Sequence, residues 1–182
     1  MEGNQSYLGS RDQFEFEETL VEVEILEEIP PMDFQVLTIG PFLKGETVSV
    51  PRWIAEILVQ YDLVLLKDKG ELDITLVTKA AWKEKDDPIL QEIDPFFYTK
   101  IKKRIIWLKN KLDTENNPIL ERELTELEKT REKIIEQRIS KMLKILGRKS
   151  LRDEEEKRFS QEEETLYKTL VKILKDWEAK QV

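Results

Sequence analysis

Two arginines, Arg131 and Arg138, fall one heptad apart on a helical face that is otherwise apolar. A guanidinium on such a seam must find carboxylates or carbonyls, because an unpaired buried charge costs several kcal/mol. Arg138 is expected to be buried and paired. For Arg131 a second reading stands beside burial, in which the stem lies along the face and the head reaches water. A second cationic set, Lys100, Lys103, Arg104 and Lys111, makes one stripe beside the apolar face of another helix. Such a stripe suits DNA or an acidic partner. The plainer reading, a solvated face or one paired with acidic helices nearby, is preferred, because no aromatic residue interleaves it for base stacking. The acidic stretch from Glu15 to Glu28 reads as solvated surface, with a hook for a basic partner as the alternative.

Composition removes most other chemistry. The chain has 182 residues with no cysteine and no histidine. That excludes disulfides, thiolate nucleophiles, Cys/His zinc sites and histidine acid–base catalysis. Six glycines are present, and none forms a GxGxxG or GxxxxGK[ST] phosphate loop. Carboxylate–magnesium chemistry has abundant acids but no motif. The expectation is a non-enzyme with no catalytic residue, cofactor or metal. The net charge of −8 disfavours autonomous DNA binding. No apolar run spans a bilayer and the start lacks a signal pattern, so a soluble cytoplasmic protein is expected, not a membrane protein. High Glu and Lys with low Gly suggests a thermophilic source.

The elements follow from periodicity. Residues 1–18 read as a flexible acidic tail. Alternation over Leu20–Glu27 predicts a half-buried strand that Pro30-Pro31 stops. Phe34–Ile39, Glu46–Val50 and Leu63–Leu66 are further strands, and a helix runs from Pro51 to Tyr61 with Pro51 at its first position. Trp53 and Ile54 lie in its first turn and are expected to pack inward. Residues 19–70 thus form a small β-rich domain. Residues 71–182 form a helical domain. Leu72–Lys85 is expected as a helix with Leu72, Leu76, Lys79 or Ala80, and Lys83 on its stripe. Asp94-Pro95 starts the next, with Phe97, Ile101, Ile105, Leu108 and Leu112 on one face. Asn117-Pro118 starts a long helix that Gly147 ends as a residue just past the last turn. The segment from Lys149 to Lys157 reads as a linker or a frayed helix end. Ser160 and Glu163 form a capping box, and Leu166, Leu170, Ile173, Leu174 and Trp177 follow as an apolar stripe, read as core to which a second subunit contributes. The fold class is α+β, a small β-rich N-terminal domain followed by an α-helical bundle.

Three stretches in order resemble GINS subunits, the replication proteins that support the MCM helicase. They are the β-unit ending in VSVPRWIAEIL (Val48–Leu58), the aromatic-Tyr helix start DPFFYTKI with Phe97 and Tyr98, and QRISKM around Arg138 followed by FSQEEETLYKTLVKIL (Phe159–Leu174). With the β-domain first, the chain is similar to the archaeal β-first class. The resemblance implies a dimer of dimers (A2B2) with a helix-first sister subunit, and contacts with the MCM helicase and a Cdc45/RecJ-like protein. It also implies a non-enzymatic scaffold in nucleoid-associated replication machinery. The acidic tail is longer than the family pattern requires.

Overall fold

The computed structural model describes residues 7–34, 38–67, 72, 74–148 and 150–181. The class is α+β, with a small sheet region on the N-terminal side and helices after it. The chain divides into two compact units, one of Gln13–Gly70 and one containing Glu71–Val182.

In the first unit, β1 (Leu20–Ile25) is the central strand, with β4 (Thr47–Pro51) on one side and β5 (Val64–Leu66) on the other, both antiparallel. Val21, Val23 and Ile25 are buried while Glu22 points out, as the two-residue period demands. Val21 sits opposite Val50, and Ile25 opposite Val64. Helix α2 (Arg52–Gln60) closes this face with Ile54, Ala55 and Leu58. A short pair, β2 (Met32–Asp33) with β3 (Thr38–Ile39), sits apart from the main sheet. The strand expected over Phe34–Ile39 is therefore only Thr38–Ile39 among the described residues; 35–37 lie outside them.

Two expectations, for the start of the chain and for α2, are corrected. The flexible tail is helical from Tyr7 to Glu17 (α1) in its described part. Phe16 anchors the end of that helix, buried under the Arg52 guanidinium at 4.6 Å from the ring centre, and its carbonyl accepts from the Thr19 hydroxyl at 2.7 Å. Residues 1–6 lie outside the described residues. Pro51 is not the first helical residue. It ends β4 with ψ 140 and caps α2, because the Arg52 amide is taken by the Thr19 carbonyl at 2.9 Å.

The second unit is built on α5 (Pro118–Gly147), with α3 (Ile74–Asp86) and α4 (Phe97–Thr114) packed against it, then a four-residue α6 (Asp153–Glu156) and α7 (Gln161–Ala179). The Asn117 side chain caps α5, accepting from the Ile119 amide at 3.0 Å, with Pro118 first in the helix. One apolar cluster joins Val77 and Ala81 to Phe97, Ile101, Leu108, Leu127 and Ile134. A second joins Leu90 to Met142, Ile145, Phe159 and Tyr167.

Helix α3 exists where the periodicity places it, but its buried face is turned by one residue. Val77, Ala81 and Glu84 are inside, while Leu76 and Trp82 are exposed. Gly147 is the last residue of α5, with Arg148 as a right-handed cap, so no left-handed glycine ends the helix. Helix α4 starts at Phe97 rather than Pro95. Asp94 instead forms a turn, its Oδ1 accepting from the Phe96 amide at 2.8 Å. The expected linker over Lys149–Lys157 contains α6. Among the described residues no helix is long and apolar enough to cross a membrane.

The rotation of α3 is testable by denaturant unfolding. Val77→Ala should cost about 2 kcal/mol, as buried methyl loss does, and Leu76→Ala should stay within about 0.5 kcal/mol. Equal costs would restore the face expected from sequence.

Candidate functional site

Arg138 is the centre of the second unit. It lies on α5 between Ile134 of one apolar cluster and Met142 of the other, and its side chain is 0% exposed. All five of its N–H donors are used. Nε and Nη2 grip the two oxygens of Glu163 at 2.6 Å each, a bidentate fork. Nη1 donates to Glu84 Oε2 at 2.6 Å and to the Gln91 carbonyl at 2.8 Å, and Nη2 also donates to the Arg158 carbonyl at 2.8 Å. One guanidinium therefore ties together α3, α5, α7 and the segments before α4 and α7.

Each anion of this cluster is held a second way. Glu84 Oε1 accepts from Lys141 Nζ at 2.5 Å, and Glu84 Oε2 accepts from the Gln91 amide at 3.1 Å. Glu163 makes the capping box with Ser160: its amide donates to Ser160 Oγ at 3.2 Å and its carboxylate accepts from the Ser160 amide at 3.0 Å. The Tyr98 hydroxyl donates to Glu163 Oε1 at 2.6 Å. Arg138 and Lys141 balance Glu84 and Glu163, so the buried set is neutral. Burial lowers the Arg138 pKa, but the hydrogen bonds and charges of Glu163 and Glu84 outweigh it, and the net shift is upward. Burial, then the charge of Glu163, raises the Tyr98 phenol well above its ordinary range.

A second stitch joins the starts of α4 and α7. Phe96 has no side-chain acceptor to cap α4. Glu162 of α7 supplies one, accepting from the Thr99 amide at 3.0 Å and the Thr99 hydroxyl at 2.9 Å. In return the Gln161 amide donates to the Pro95 carbonyl at 2.7 Å. Glu162 Oε2 is buried with no hydrogen-bond partner among the described residues, so the network is complete at Arg138 but not at its edge.

The arginine pair splits. Arg131 is exposed, because the covered side of α5 at that turn runs through Leu127, Thr130 and Ile134. Phe97 is buried, with Tyr98 edge-on to it at 5.4 Å. Ile54 is core, and Trp53 is half-buried with Phe34 edge-on at 5.6 Å. The basic stripe on α4 is largely matched: Lys100 to Asp94 at 2.6 Å, Arg104 to Glu123 at 2.8 Å and Lys111 to Glu115 at 3.6 Å, while Lys103 also has partners. The α7 stripe is not core of this chain. Leu166, Ile173, Leu174 and Trp177 are exposed and Leu170 is half-buried, since α7 faces its own unit with Glu163, Tyr167 and Val171.

Glu84 is the member that sequence reasoning missed. The signal was present in the spacing Val77, Ala81, Glu84, an i, i+4, i+7 face in which an acid takes the third place. Among the described residues no group of three or more acids is arranged to hold a metal ion. No protein-family model matches the sequence, and no curated protein sequence matches it.

Two outcomes follow from the geometry. Arg138→Ala should cost ~3–5 kcal/mol by stranding Glu84 and Glu163, against about 0.5 kcal/mol or less for Arg131→Ala, both read from urea unfolding. The raised Tyr98 pKa has a signed consequence. Above about pH 10 the unfolded tyrosine ionises while the folded one keeps its proton, so stability is lost as pH rises through that range. The melting-temperature gap between the wild type and Tyr98→Phe should narrow from pH 8 to 11; a constant gap would place Tyr98 in water.

Proposed function

We propose that this chain is a scaffold subunit of the GINS type, which holds other proteins in place and catalyses nothing. The observation that carries the reading is the uncovered seam of α7. Leu166, Leu170, Ile173 and Trp177 recur at spacings of four, three and four, the repeat with which one helix packs along another. Ile173 and Trp177 are 56% and 60% exposed, and every residue from Lys172 to Gln181 is exposed. A contiguous apolar face of this kind marks an interaction surface. On α5, Ile139 and Leu143 are also exposed.

A helix is the occupant that this spacing fits. The family resemblance makes it a helix of the helix-first sister subunit, in an A2B2 tetramer whose remaining faces meet the MCM helicase and a Cdc45/RecJ-like protein. The α+β class and a buried arginine within QRISKM support the same reading. The DNA-binding alternative draws less support, because three of the four α4 bases it needs are paired with carboxylates.

Light scattering after size exclusion tests the proposal. Alone, the chain should self-associate. With the sister subunit it should form one defined complex. Ile173→Glu with Trp177→Glu should abolish that complex and leave the chain's unfolding free energy within about 0.5 kcal/mol per site, as at exposed positions. A wild-type chain that stays monomeric and ignores the sister subunit would overturn the reading.

A further inference from the structure

Beside the C-terminal turns of α5 lies a cavity of about 370 Å³ that borders the Arg138 network: Lys141, which holds Glu84, and Arg158, whose carbonyl accepts from Arg138, both line it. Apart from Lys141, its cationic wall comes from three places: Lys144 and Arg148 near the end of α5, Arg152 before α6, and Arg158 after it. Bases in a last turn complement the helix dipole. That accounts for Lys144 and Arg148 but not for Arg152 or Arg158, which the chain brings back after the helix has ended. Arg158 is held in place, its Nη1 donating to the Leu90 carbonyl at 2.9 Å. Lys144 makes no ion pair among the described residues. The floor is apolar, with Ile89 and Ile145.

One carboxylate of the chain already meets this wall. The carboxylate of Glu155 accepts from Arg148 Nη2 at 2.6 Å and from the Arg152 amide at 3.2 Å. The Arg148 hydrogen bond holds that carboxyl below the usual range. Glu154 and Glu155 also line the cavity and lower its charge for any anion, but no aromatic ring does, so the cavity offers a nucleic acid no surface for base stacking.

We propose that this cavity docks an acidic peptide segment of a partner protein, with a carboxylate among Lys144, Arg148 and Arg152 and a neighbouring apolar side chain on Ile89 and Ile145. The site is separate from the α7 seam and stands without the scaffold reading.

Fluorescence anisotropy with the full chain reads it, using a fluorescein-labelled peptide that repeats Glu-Glu-Leu and its Gln-Gln-Leu counterpart. The acidic peptide should bind saturably and the Gln peptide should not. Lys144→Glu and Arg152→Glu should each weaken binding at least ~10-fold, as expected when a partner charge becomes a repulsive one. Lys44→Glu, the same charge change in the other unit, should alter it less than ~2-fold. Both cavity positions are exposed, so an unchanged circular dichroism spectrum separates lost binding from lost fold, and either variant alone suffices. Equal binding of the Gln peptide, or indifference to both cavity variants, would sink the proposal. So would an oligo-dT probe that binds more tightly than the peptide and is lost in Lys144→Glu.

Discussion

The Arg138 fork constrains how α3 and α7 meet α5 in the second unit. Its planar guanidinium offers donors in fixed directions, and carboxylates on α3 and α7, with carbonyls of two connecting segments, lie where those donors point. A lysine has the charge but not the fork. Desolvating the ions offsets most of their attraction, so the network adds little net stability compared with a well-packed apolar core. Its effect is on register. Sliding α7 by one turn would leave Glu163 without Arg138, and a buried unpaired carboxylate is far more costly than a shifted leucine.

Charge elsewhere follows a different rule. On α4 the cations meet carboxylates on α5 or on their own segment, at partly exposed positions where each pair is worth about 1 kcal/mol or less. Such pairs mute the potential of the stripe more than they hold the fold. At the far end of α5 the muting is incomplete: Glu155 answers Arg148, while Lys144 is left to the cavity. Position along α5 thus separates cations that serve the fold from cations that face an opening.

The helices were legible wherever one signal dominated. The Asn117-Pro118 start of α5, the Ser160–Glu163 box of α7 and the apolar face of α4 all follow from local chemistry. The misplacements share a cause, a local signal overruled by a distant partner. Pro51 reads as a helix start, yet strand pairing with Leu20 keeps it in β4. Asp94 reads as a cap, yet the Thr99 amide of α4 is taken by Glu162, 63 residues away. The phase of α3 is set by Arg138, which draws Glu84 inward and so turns Leu76 out. That arginine was readable as a buried ion, but its partners were not, because nothing local separates Glu84 from the exposed acids that surround it.

The same network determines what α7 shows to the outside. With Glu163, Tyr167 and Val171 facing inward, the line of Leu166, Leu170, Ile173 and Trp177 lies about a quarter of a turn away. Of that line only Leu170 is half-buried while Glu163 stays on Arg138. The burial of one acid therefore dictates the exposure of the apolar line beside it. A change that released Glu163 would free α7 to roll its apolar side inward, and the exposed line would disappear into the protein's own core.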